Sequence, residues 1–141
     1  MTAYEDVYDS FRTKVSDYDL INFTNFEENE ILYSFLKISI SKFGRLCNKL
    51  SDRDDDLSQF NIDLTDEEID ILSELMLEVW VQKKLHNSDL LRNNLSTKDF
   101  SFFSNKNIID QLRGLYKESK RSARSMMNQY SILHSDYKTM R

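Results

Sequence analysis

Proline is absent from this 141-residue chain, and glycine stands only at Gly44 and Gly114. Proline interrupts helices, and glycine supplies the backbone that tight turns and phosphate-cradling loops need. Their scarcity excludes collagen, proline-rich linkers and glycine-dependent phosphate loops. Long stretches are left uninterrupted, and apolar residues within them recur at helical spacing. The expectation is an all-α, single-domain bundle of about four main helices with an extended basic C-terminal helix or tail.

The first helix begins at once. Thr2 and Glu5 have the T-x-x-E spacing of a capping box, in which side chains satisfy backbone N–H groups that lack helical partners. Tyr4, Val7, Tyr8, Phe11 and Val15 follow at three- and four-residue steps. They make one face of a helix of about 14 residues that fades across Ser16 to Asp19. Thr24 and Glu27 repeat the box ahead of Ile31, Leu32, Phe35, Leu36, Ser39 and Phe43. Ile38 and Ile40 broaden this second stripe, which suits a helix central to a bundle. Tyr33, Ile38 and Ile40 also suit a strand. Gly44 either caps this helix or permits close packing as it runs on to Leu50.

Residues 51–63 read as a charged loop pinned by Leu57, Phe60 and Ile62. The third helix has the strongest start. Thr65 and Glu68 form a box, and Asp66 and Glu67 lie on the positive end of the helix dipole. Ile69, Leu72, Leu75, Met76, Val79 and Trp80 line one face, Ile71 and Leu77 widen it, and Lys83 and Lys84 favour its C-terminal end. Ser88 and Asp89 then cap a short turn holding Leu90, Leu91 and Leu95, and residues 96–104 form an aromatic connector. The last helix runs from about Asn105 to Tyr130, with residues 131–141 frayed. Its early face is Ile108, Ile109, Leu112, Leu115 and Tyr116. The candidate core is Tyr8, Phe11, Ile31, Phe35, Leu36, Phe43, Leu72, Leu75, Met76, Val79, Trp80, Leu112 and Leu115.

Hydrophobic residues at 40% and charged residues at 30% fit a soluble globular domain rather than a disordered chain. No apolar run is long enough for a membrane span, and no apolar segment follows the first Met. Cys47 is the single cysteine, so no intramolecular disulfide can form and a reducing compartment suits the chain. The net charge of −5 hides a strong division. Residues 113–141 hold seven basic and two acidic residues, whereas residues 1–112 hold 12 basic and 22 acidic. A helical body, 1–112, thus carries a basic C-terminal extension, 113–141, and stacked or ringed copies could set one sign against the other.

Few residues suggest chemistry. Asp52, Asp54, Asp56, Ser58 and Asp63 approach calcium-loop spacing, but Leu57 replaces the glycine of the sharp turn and Asp63 the bidentate glutamate. His86 and His134 lie far apart in sequence, and neither has another His or Cys at ligand spacing. Cys47, between Phe43, Leu46 and Leu50, reads as a small buried thiol rather than a nucleophile. The expectation is no catalytic residue, no metal and no cofactor. The candidate partner-binding residues are Arg113, Lys117, Lys120, Arg121 and Arg124, on one helical face, followed by Met126, Met127 and Tyr130. From Ser119 to Ser125 the only apolar residue is Ala123, which fits a helix that leaves its own core and meets a neighbour. A solvated face, protein docking, nucleic-acid phosphates and anionic lipid remain open for the basic stripe. Asp52, Arg53, Asp54, Asp55 and Asp56 form a candidate inter-subunit loop.

Several strings, in order, resemble one family. They are Tyr4-Glu5-Asp6-Val7-Tyr8, Val15-Ser16-Asp17-Tyr18-Asp19, Leu50-Ser51-Asp52-Arg53-Asp54-Asp55, Phe60 to Ile69, and Leu95-Ser96-Thr97-Lys98-Asp99-Phe100. The chain resembles head–tail connector (neck adaptor) proteins of tailed phages infecting low-GC Gram-positive bacteria, over most of its length to about Lys120. The resemblance implies a helical, non-enzymatic virion protein made in the host cytoplasm. Its partners would be the portal protein, other copies of itself in a dodecameric ring and a tail-side neck protein. DNA would pass through the lumen without specific binding, and no membrane would be involved. A tail-completion or baseplate protein, or a small helical regulator binding nucleic acid or protein, is the alternative.

Overall fold

The computed structural model describes residues 1–17, 29–94 and 106–139. The Thr24–Glu27 box, Leu95 and the 96–104 connector lie outside the described residues. The elements are β1 (Thr2–Ala3), α1 (Tyr4–Asp17), α2 (Asn29–Phe43), a 3₁₀ turn (Asn48–Ser51), β2 (Arg53–Asp54), β3 (Gln59–Phe60), α3 (Asp66–Asn94) and α4 (Lys106–Thr139). The fold is all-α, with four long helices and one small sheet.

The apolar stripe of α1 is buried at all five positions, Tyr4, Val7, Tyr8, Phe11 and Val15. The start of the helix is built differently from the capping box its sequence suggests. Thr2 lies in β1 and its hydroxyl accepts the Leu64 N–H at 2.9 Å, while Glu5 pairs outward with Arg12 at 2.6 Å. The Tyr4 N–H is taken instead by the Ser58 carbonyl, at 2.9 Å. Pairing with a distant strand has overridden the local motif.

In α2, Leu32, Phe35, Leu36, Ile40 and Phe43 are buried, and the buried Ser39 hydroxyl donates to the Phe35 carbonyl at 2.9 Å. Ile31, placed in the core by its spacing, is 40% exposed, and Ile38 is 38% exposed. Seven residues are two helical turns, so these two lie on one outward line. The helix is peripheral rather than central. It ends at Phe43, and Gly44 has no left-handed φ. A Cβ on Gly44 would stand 2.7 Å from the Ile40 carbonyl oxygen, so a bare backbone is what allows this close end. Leu36→Ala is expected to cost about 2–5 kcal/mol in denaturant unfolding, and Ile38→Ala under about 1 kcal/mol, because only the first leaves a cavity.

The central helix is α3, which packs against α1, α2 and α4. Every residue from Ile71 to Val81 is buried, including Ser73, Glu74 and Glu78. Buried carboxylates need partners. Lys14 reaches Asp70 at 2.6 Å and Glu74 at 3.0 Å, and Lys42 lies 3.7 Å from Glu78. Burial alone would lower the Lys14 pKa, but the two carboxylates hold it above the ordinary lysine value. The helix does not stop near Lys84 or restart at Ser88–Asp89; it continues to Asn94. No proline or glycine lies in residues 85–94, and the polar residues there weaken a helix only slightly.

Helix α4 extends to Thr139, so residues 131–139 are helical rather than frayed. Leu112, Leu115, Ser119, Ala123 and Tyr130 are buried, and the α3–α4 pair is the most extensive helix contact among the described residues. The helix therefore does not leave the core between Ser119 and Ser125. Small side chains at Ser119 and Ala123 suit a close approach, since the spacing of packed helices follows the residues at the contact.

The charged loop at residues 51–63 contains two short strands. β2, β3 and β1 form an antiparallel sheet in the order β1-β3-β2, with Phe60 opposite both Thr2 and Arg53. Phe60 is fully buried and Ile62 packs on the core, but Leu57 is 66% exposed and pins nothing.

Candidate interaction surface

Residues distant in sequence meet at Glu68. Its backbone N–H donates to Thr65 Oγ1 at 3.2 Å, and the Thr65 N–H donates to Glu68 Oε1 at 2.9 Å, the capping box that the sequence implies. The carboxylate also accepts from Lys49 Nζ at 3.1 Å, Cys47 Sγ at 3.2 Å and the Tyr130 hydroxyl at 2.7 Å. Glu68 is fully buried. Burial by itself would raise its pKa. The hydrogen bonds from Thr65, Tyr130, Cys47 and Lys49 outweigh that effect and hold it at about 2. Burial and the neighbouring carboxylate push the Tyr130 hydroxyl upward. Burial also raises the Cys47 thiol above the ordinary cysteine value, against a lowering hydrogen bond from Tyr130, which favours the protonated form. The cluster ties α4 to the start of α3 and to the 3₁₀ turn. Phe43 adds an edge-on ring contact to Tyr130, with centroids 4.9 Å apart.

This anchorage presents the basic stripe. Arg113, Lys117, Lys120, Arg121 and Arg124 are all exposed. Among the described residues none of the five joins an ion pair; Lys120 lies 5.8 Å over the Tyr116 ring. Met126 and Met127 are partly buried against the core, and Tyr130 belongs to the core. Of the eight candidate partner-binding residues, Tyr130 is thus unavailable to a partner, because its ring and hydroxyl are spent inside the chain's own core.

A crevice of about 410 Å³ is lined from α2, α3 and α4, with Ser41, Leu75, Gln82, Tyr116 and Met127 among its lining residues. Lys120 and Arg124 line one side, Lys42 and Arg45 the other, with Glu78 as the one acidic lining residue. Lys42 and Arg45 were not legible as site residues. Their basic character near the end of α2 was visible, but the neighbouring helix was not.

The acidic segment makes a self-organised hairpin. Asp54 Oδ1 accepts the N–H groups of Asp56 and Leu57 at 3.0 and 3.2 Å, an Asx turn. Asp55 accepts the Tyr4 hydroxyl at 2.6 Å, lies 3.5 Å from Arg53 and is held below the ordinary aspartate pKa, chiefly by Tyr4. Asp52 accepts from Asn61 Nδ2 at 3.0 Å, and Ser58 has a left-handed φ of 52°. The calcium-like spacing does not converge on one point, since Asp63 turns away to pair with the amino terminus. Among the described residues no three His, Cys, Asp or Glu side chains group as metal ligands, and no helix is long and apolar enough to cross a membrane. His86 is exposed, and His134 stacks on Tyr130 with centroids 3.9 Å apart.

The described residues thus present a basic row and crevice on α4 and α2, and an acidic hairpin at residues 53–60. Comparison of the chain with protein-family models, curated proteins and solved structures gives no match.

Proposed function

We propose that this chain is a structural virion protein, a head–tail connector whose copies form a ring joining the portal to the tail. The assignment to a virion rests on the ordered sequence resemblance. The observation that carries the docking role is the exposed row of cations on α4, without an ion pair among the described residues and packed on an acidic body. A preformed, fixed surface binds without the ordering cost of a flexible tail. The portal protein is the partner of the outer ridge, Arg113, Lys117 and Arg121, and a tail-side neck protein meets another face of the ring. The acidic body lets DNA pass without adhering, because like charge repels phosphate.

Reversal of the ridge in the encoding phage, Arg113→Glu with Lys117→Glu and Arg121→Glu, tests this reading. The protein should fold normally, while tailed particles and infectious titre fall by about a hundredfold, since three reversed contacts cost several kcal/mol of docking. Unchanged titre, or absence of the protein from purified wild-type particles, would overturn it. A nucleic-acid-binding regulator would use the same ridge. It predicts DNA affinity that falls steeply with salt, whereas the connector predicts weak binding.

A further inference from the structure

We infer that the acidic hairpin tip of one copy docks in the basic crevice between α2 and α4 of the next. The contact is head-to-tail between identical subunits, and it rests on the connector reading only for where the assembly forms. The tip consists of Asp54, Asp55, Asp56 and Leu57. Leu57 is a large apolar side chain at the turn of a hairpin, 66% exposed. Asp54 and Asp55 are committed to holding the turn, through the Asx bonds and the Tyr4 hydroxyl. Among the described residues the side chains of Asp56 and Leu57 form no hydrogen bond or ion pair. Ser58 takes a left-handed conformation that non-glycine residues seldom adopt, which the bonds around the turn impose.

The crevice is complementary in two respects. The partly buried Tyr116 and Met127 give its lining an apolar portion beside the polar Ser41 and Gln82, and the same lining carries Lys42, Arg45, Lys120 and Arg124. Lys42 is partly committed to Glu78, at 3.7 Å, which leaves three cations for the acidic tip. An apolar centre inside a charged rim is how specific interfaces are organised. The hairpin and the crevice share no residue, so one subunit can offer both at once. An interface between two different patches of the same chain repeats, giving a ring where the rotation closes and a filament where it does not.

Cross-linking of the purified full chain tests the contact, with the buried Cys47 left in place. Leu57→Cys protein mixed with Met127→Cys protein, at low salt under mild oxidation, should give mixed disulfide dimers about tenfold faster than Leu57→Cys with Ser125→Cys. Ser125 is exposed beside Lys120 and Arg124 but does not line the crevice, so that control separates the crevice from general attraction. Lys120→Asp with Arg124→Asp in the Met127→Cys partner should remove the advantage, and Asp56→Lys in the Leu57→Cys partner should restore most of it. Equal rates for the two pairings, or no response to charge reversal, overturn the inference. Failed cross-linking together with tailless particles from the ridge reversal leaves the connector reading standing. Cross-linking by a protein that is absent from particles leaves the contact and removes its location.

Discussion

Glu68→Ala is expected to cost about 3–5 kcal/mol of folding stability in denaturant unfolding, the range for breaking a buried charged network by removing one partner. Four donors lose their acceptor together: the Thr65 N–H, Lys49 Nζ, the Cys47 thiol and the Tyr130 hydroxyl. Three of them come from parts of the chain outside the first turn of α3. The loss should therefore loosen the C-terminal half of α4 and the 3₁₀ turn as well as the helix start, read as faster amide exchange in both. The carboxyl group is held at about 2, below its ordinary 4.5, so the folded protein binds this proton more weakly than the unfolded chain does. Its stabilisation is complete above about pH 4.5 and is lost as pH falls from there toward about 2, to a total of about 3 kcal/mol. Glu68→Gln should remove that acid-dependent loss while keeping the shape of the side chain. Wild-type stability that stays level down to about pH 3 would contradict an ionised Glu68 as the common acceptor.

Glu68 also marks where reading the sequence stops. The Thr65–Glu68 box was legible because its partners lie three residues apart. Cys47 and Tyr130, at separations of 21 and 62 residues, gave no local signal. The string at Thr2 and Glu5 has the same spacing but makes no box, because Thr2 was claimed by a sheet that assembles from residues 50 or more positions away. The five apolar residues of α1 were legible because a helix repeats its face every few residues. The same logic misplaced Ile31: periodicity fixes which residues share a face, but not how many sides of a helix are covered. The basic stripe on α4 was legible for the same reason as α1. The opposing wall of the crevice, Lys42 and Arg45, belongs to another helix and had no periodicity to announce it.

The stretch from Ser119 to Ser125 is the instructive failure, and two adjacent substitutions there separate stability from docking. Few large apolar residues suggested a helix with no core to face, yet Ser119 is 1% exposed and Ala123 fully buried. Small residues mark a close seam as readily as an absent one. Ala123→Asp is expected to cost about 3–5 kcal/mol, or to prevent folding outright, because it places a carboxylate without a partner in that seam. Arg124→Asp, one residue on and about 100° around the helix, should change stability by under about 0.5 kcal/mol. It removes one of the crevice cations, so assembly should weaken while thermal unfolding stays at the wild-type temperature. The same geometry shows why deleting residues 119–141 is a poor test of docking. The deletion strips Ala123 and Tyr130 from the core and takes one donor from the buried Glu68, so lost assembly would report lost folding. If Ala123→Asp proved as stable as wild type, α4 would be standing clear of α3, and the basic residues would belong to a free arm instead of a fixed ridge.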